Sequence, residues 1–185
     1  LAVIDVFSVS VLKEASFMRI SVVVLFLANV ILELAALAFL PANVAIHFGP
    51  DGSPDGWGPS YVNALVMVGI NVMVFLMTWL SPQLMRPSAS KWVNLPNKDY
   101  WLRPDVVEET KKRLTRFMCG FGAALLAFLF VVSALSILAN LSTPVRLNLR
   151  VFIPAFVAFM VFTMGWLVAM FRAFRVPKSA QTPAR

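Results

Sequence analysis

Pro41-Ala42-Asn43-Val44-Ala45-Ile46-His47-Phe48-Gly49-Pro50-Asp51-Gly52-Ser53-Pro54-Asp55-Gly56-Trp57 stands between two apolar runs, Ile20–Leu40 and Tyr61–Leu80, and these three segments together decide the fold. Each run has about twenty residues, which at 1.5 Å per helical residue crosses a hydrocarbon layer about 30 Å thick. The quoted stretch is therefore the cap of a membrane hairpin. It holds His47, the single histidine of the chain. Pro50-Asp51-Gly52 and Pro54-Asp55-Gly56 each predict a tight turn, because proline presets the first turn angle, aspartate bonds its own backbone and glycine takes the strained exit.

The rest of the chain extends this reading. Of its 185 residues 59% are hydrophobic and 14% charged, well beyond what a water-soluble core requires. Two more apolar runs follow, so the expected fold is an all-α integral membrane protein, a four-helix bundle forming a single domain over residues 1–185. The spans are placed at about 20–40, 61–80, 117–139 and 151–171, with an outer loop at 41–60, a cytoplasmic loop at 81–116 and a tail at 172–185. Leu1–Phe17 is apolar but interrupted by Asp5, Lys13 and Glu14, which predicts a segment lying at the interface. The chain opens on Leu1 rather than Met, as expected of a processed product or a piece of a longer one.

Charge distribution sets the orientation. Arg86, Lys91, Lys98, Arg103, Lys111, Lys112, Arg113 and Arg116 lie between spans two and three, and Arg172, Arg175, Lys178 and Arg185 in the tail. Only Arg146 and Arg150 lie between spans three and four, and no basic residue lies between spans one and two. Lys and Arg near spans stay in the cytoplasm, so both termini are expected there and the His47 loop outside. The net charge of +7 is thus explained by topology, and no nucleic-acid partner is expected. In the cytoplasmic loop, Asp105 is predicted to cap a helix with Glu108 reaching back, followed by Glu108–Lys112 and Glu109–Arg113 pairs. That helix is expected to run into the third span, while Trp92, Tyr100 and Trp101 sit at headgroup depth.

Few residues offer chemistry. Glu33 is a carboxylate inside a span, where it must face the bundle interior and be paired or neutral. Asn29 lies one turn away on the same face, Ser133 at similar depth and Asn71 somewhat deeper. A protonated Glu33 donating to Asn or Ser is the structural reading, and a ligand or proton site is the functional one. His47, Asp51 and Asp55 supply three potential metal ligands at a spacing that matches no known loop, so no metal and no other cofactor is expected. Cys119 alone allows no internal disulfide and is read as a small apolar residue. No nucleophile–base–orienter set, His-Glu-x-x-His pair or phosphate loop is present, so no catalytic residue is expected. Gly120/Ala124 and Gly165/Ala169 predict close helix contacts, and Pro154 a kink or a first-turn position.

With Leu40-Pro41, Ile46-His47-Phe48-Gly49 and Gly52-Ser53-Pro54-Asp55-Gly56-Trp57 in view, the chain resembles a bacterial membrane-domain family of unknown function, a domain also found at the start of the sporulation-delaying-toxin immunity proteins. Asn94-Leu95-Pro96-Asn97-Lys98-Asp99-Tyr100-Trp101-Leu102 resembles a second block shared by a subgroup of that family. The resemblance implies a multi-pass protein of the bacterial inner membrane, in some members giving immunity to a membrane-active toxin. The immunity proteins are expected to have more than four spans. Three functions follow as expectations. One is a non-catalytic accessory subunit packing through its spans against a larger membrane complex. Another is a receptor or immunity protein using Glu33, His47, Asp51, Asp55 and Trp57, with Asn94, Pro96, Asn97, Asp99, Tyr100 and Trp101 as the cytoplasmic motif. A metal-dependent membrane enzyme is a distant third.

Overall fold

A computed structural model describes residues 2–81 and 94–177, with side chains described from Phe17 onward. Arg86, Lys91 and Trp92 of the basic connector, and Lys178 and Arg185 of the tail, lie outside the described residues. The element order is α1 (Ala2–Ala36), β1 (Asn43–Phe48), β2 (Pro54–Pro59), α2 (Ser60–Leu80), α3 (Lys98–Trp101), α4 (Val107–Asn140) and α5 (Leu149–Ala173). Among the described residues four helices are long and apolar enough to cross a membrane: Phe17–Ala36 within α1, then α2, α4 and α5. The protein is an all-α, multi-pass membrane bundle.

The helix boundaries differ from the sequence expectation in instructive ways. The segment before Phe17 continues α1 without a break, since neither proline nor glycine interrupts it. At the other end α1 stops at Ala36, four residues before Leu40, and residues 37–40 form turns that hand the chain to β1. The helix α4 has 34 residues, about 50 Å, so its first turns project beyond a 30 Å hydrocarbon layer. Those turns carry Lys111–Glu108, at 2.5 Å, and Arg113–Glu109 ion pairs, so the acidic–basic pattern forms with a different partner for Glu108 than Lys112. Asp105 is not the cap. The N-cap position is Val106 with no side-chain bond, and Asp105 instead pairs with Arg103 at 3.0 Å. In α5 the continuous helix carries Pro154 inside it, near its start.

Three helices form the packed centre. Val22 of α1, Val74 of α2 and Cys119 and Leu126 of α4 make one buried cluster, which gives Cys119 the apolar packing role assigned to it. The close approach of α2 and α4 is at Gly122, where an added Cβ would lie 2.3 Å from Thr78 Oγ1. Gly120 and Gly165 face open space, so neither predicted small-residue pair marks a contact between helices in this chain. Substituting Gly122 with valine is expected to force α2 and α4 apart and cost about 1–3 kcal/mol, whereas Gly120→Ala should be neutral or slightly stabilising. Thermal unfolding of both variants in mild detergent checks this, and equal effects would contradict the placement. The last helix, α5, is attached to α4 by an aromatic ladder, with Phe128 stacked on Phe159 at 4.6 Å and Phe121 tilted against Trp166 at 4.7 Å.

The two ends of the bundle are built differently. At one end, β1 and β2 form an antiparallel hairpin in the pairing Asn43–Pro59, Val44–Gly58, Ala45–Trp57, His47–Gly56 and Phe48–Pro54. At the other, Leu95, Trp101, Leu102, Leu114 and Phe174 form a second buried cluster. The His47 turn and the described part of the connector, from Leu95 to Leu102, thus occupy opposite ends of the bundle.

Candidate functional site

The hairpin is where the fold gains a cavity. Of the two Pro-Asp-Gly triplets only the first makes the turn: Gly52 donates its N–H to Gly49 O at 2.9 Å, and Gly49 donates to Ser53 O at 2.8 Å. Gly52 has φ +83°, a left-handed conformation that the absence of a Cβ permits. Its C=O accepts from Leu147 N at 2.9 Å, which pins the turn to the α4–α5 link. The second triplet lies inside β2 instead. Ile46 and Asp55 are each the extra residue at an irregularity in strand pairing, and the bulge at Asp55 brings its carboxylate to His47, Nδ1 to Oδ1 2.5 Å. Asp51 turns elsewhere: the Ser53 hydroxyl donates to it at 2.7 Å and the Ser53 N–H at 3.1 Å. These bonds hold the Asp51 carboxyl below the usual carboxylate range.

The hairpin is stitched down at its root as well. Asn140, the last residue of α4, accepts from Ala45 N at 2.7 Å and returns a bond from Nδ2 to Ala45 O at 3.0 Å. Its amide thereby acts as a strand partner for a residue with no solvent exposure. Arg146 Nη2 donates to Asp51 O at 3.0 Å. Asn140, Arg146 and Leu147 hold the root, the turn backbone and the tip respectively, so the α4–α5 connection fixes the hairpin over the bundle.

Beneath it lies a cavity of about 640 Å³. Its roof is the hairpin from Ile46 to Pro50, and its walls come from Asn63 and Met67 of α2, Ser133 and Ser136 of α4, and Phe152 of α5. Glu33 of α1 lines it too. The Glu33 side chain is buried, 2% exposed, and its Oε1 has no hydrogen-bond partner. The Ser133 hydroxyl, 3% exposed, stands beside it as a donor within reach of the carboxylate, and among the described residues no other group pairs with either. The expected Glu33 bond to Asn29 is not made: Asn29 Nδ2 donates to Leu25 O at 2.8 Å and to Leu126 O at 3.0 Å. Asn71 likewise turns back on its own helix, donating to Met67 O at 2.9 Å. A buried polar atom left unpaired costs about 1–3 kcal/mol, and a carboxylate with only a serine hydroxyl beside it remains short of partners.

Of the residues singled out in the sequence at this end of the bundle, Glu33 and His47 therefore share one cavity, while Asp51 and Asp55 serve the turn and the His47 contact, and Trp57 is about half exposed on β2. Among the described residues no three of His, Cys, Asp and Glu group as metal ligands, so His47, Asp51 and Asp55 are not assembled as a set. Sequence reasoning missed Asn140, Ser136 and Asn63. A signal was present: Ser133, Ser136 and Asn140 recur at i, i+3 and i+7, one polar stripe on an otherwise apolar helix.

The Asn94–Leu102 motif builds a different device. Asn97 Nδ2 and Trp101 Nε1 both donate to Phe174 O at 2.8 Å, and Arg113 Nη1 donates to Ala173 O at 2.7 Å. These are orphan carbonyls at the end of α5, which has no partner of its own for them. Asn97 sits at φ 54°, a conformation asparagine tolerates better than most residues, and this starts α3. Trp101 is 2% exposed, so it is a core residue and not a headgroup anchor. Thr110 Oγ1 donates to its C=O at 2.7 Å, and the Arg113 guanidinium lies 4.8 Å from its ring centre. Pro96 is half-buried and Tyr100 packs beside the cluster, whereas Asn94 and Asp99 are exposed. The motif thus caps α5 and joins it to α4.

Neither the curated proteins nor the solved structures give a match to this chain. Residues 24–72, running from within α1 through the hairpin into α2 and so including Glu33 and His47, match the family model described as Domain of unknown function (DUF1648).

Proposed function

We propose that this chain is a non-catalytic protein of the bacterial inner membrane that recognises a ligand in the cavity beneath its hairpin, with both termini cytoplasmic and the hairpin outside. The observation that carries the reading is Glu33 Oε1, a buried and unpartnered carboxylate oxygen on the wall of a roofed cavity. A cavity of 640 Å³ lies within the range of small-molecule sites, apolar with a few convergent polar groups. Orientation rests on the positive-inside rule applied to the connector and tail. Immunity to a membrane-active toxin is one form that such recognition can take. The test is native mass spectrometry of the detergent-purified protein with decanol as an apolar probe. Saturable binding that is weakened in Val132→Trp, which puts an indole into the cavity, supports the reading. Binding unchanged by that substitution, or no binding, overturns it.

A second reading, an accessory subunit of a larger membrane complex, is favoured by α5. No residue of that helix is buried, leaving an apolar face open to either lipid or a protein neighbour. Purification in mild detergent with a stoichiometric membrane partner would support it, and a monodisperse lone chain would oppose it.

A further inference from the structure

Resting on the reading of the cavity as a ligand site, we propose that its ligand is an amphiphile with a primary ammonium group, seated with its charge on Glu33 and Ser133 and its apolar body along the cavity walls. The polarity of the lining leads to this. Glu33 and His47 are the titratable residues that line the cavity, and no Lys or Arg does. The nearby cation Arg146 is committed to the Asp51 carbonyl. An anion placed there would meet a carboxylate with no compensating charge, whereas a cation would neutralise a buried carboxylate that lacks a partner within the bundle.

The number of free acceptors narrows the head group. Glu33 Oε1 and Ser133 Oγ stand side by side, and a single Ser133 O–H cannot fill the acceptor capacity of both oxygens. A primary ammonium brings three N–H donors and can satisfy both at once, with a third for the cavity's remaining polar groups. A quaternary ammonium carries the same charge but no donor, and would leave the remaining acceptor sites of these oxygens unfilled. An alcohol can satisfy one of them without neutralising the charge. The walls above and around these two oxygens, Ile46, Met67, Val132, Ile137, Phe152 and Ile153, offer apolar side chains to a hydrocarbon body.

The probes are decylammonium, decyltrimethylammonium and decanol, titrated by native mass spectrometry into the full chain released from phosphatidylcholine nanodiscs. Decylammonium is expected to bind about tenfold or more tightly than either of the others, because hydrogen bonds to a charged group are at stake. Glu33→Gln, nearly isosteric, should remove that preference, and Ser133→Ala should weaken decylammonium more than decanol. Equal binding of all three probes, weakened by Val132→Trp, overturns the head-group proposal but retains the cavity as a ligand site. Absence of binding by every probe overturns both. Adding phosphatidylethanolamine to the nanodiscs separates two sources of the same chemistry. Competition with decylammonium supports the proposal with an aminophospholipid as ligand, and lack of competition supports it with a free amine.

Discussion

Trp101→Ala is expected to destabilise the chain by about 3–5 kcal/mol, the range for deleting a large buried aromatic side chain. The residue is 2% exposed and its ring meets Phe174 edge-on at 5.6 Å, in the cluster that joins the connector to the end of α5. It also supplies one of two N–H donors to Phe174 O. Trp101→Phe keeps most of the packing and removes the indole donor. Asn97 still satisfies that carbonyl, so the cost should be smaller, about 0.5–1.5 kcal/mol. Unfolding of both variants in mild detergent gives the two values. Hydrogen exchange should show the loss concentrated in the last turn of α5. If Trp101→Ala unfolds with the wild type, the ring is lying in lipid headgroups and the packing described for this end is wrong.

That contrast marks what the sequence could and could not convey. Span length is a one-dimensional property, and twenty apolar residues cross a bilayer whatever surrounds them. Hence four spans and their connections were legible, as was the burial of Glu33, since an intramembrane carboxylate has few other places to go. Depth alone does not tell a lipid-facing tryptophan from one folded back on a helix end. Amphipathic rings favour the interface on average, but Trp101 finds a buried carbonyl 73 residues away to bond, a partner no local pattern announces. The same limit explains the glycines. Gly120 looked like half of a packing pair, but the facing helix sets which face matters, and Thr78 meets Gly122 instead.

The hairpin shows a second kind of limit. Two Pro-Asp-Gly triplets have equal turn propensity, and local chemistry cannot rank them. Tertiary contacts decide: Gly52 is held by Leu147, while the Asp55 triplet is drawn out into β2 by pairing with β1, with one residue bulged to absorb the misfit. The strands are short and contain two prolines and two glycines in β2, a composition poor for sheet formation. What stabilises them is attachment to the bundle, supplied by Asn140 of α4 and by Arg146 and Leu147 of the α4–α5 link.

Asn140 is the residue on which that attachment turns, and Asn140→Leu is expected to cost about 2–5 kcal/mol. The replacement is close in size, so packing changes little, but both backbone groups of Ala45 lose their partner in a site with no solvent exposure. Each unpaired buried group costs about 1–3 kcal/mol. Asn140→Asp separates the two bonds, because a carboxylate still accepts from Ala45 N–H but presents an acceptor to Ala45 O. It should therefore fail to rescue the hairpin, whereas Asn140→Gln should fail only through length. The loss should be local. The helices keep their own clusters at Val22 and Leu126, so the hairpin should lift before the bundle unfolds. Amide exchange at Ala45 and protease cleavage within residues 49–53 should both rise in Asn140→Leu, with the helical signal unchanged. Loss of the hairpin would also unroof the cavity and weaken decylammonium binding without any change to Glu33. An Asn140→Leu protein whose Ala45 amide stays protected would show that the roof is held from elsewhere, and the coupling of roof to ligand site would have to be abandoned.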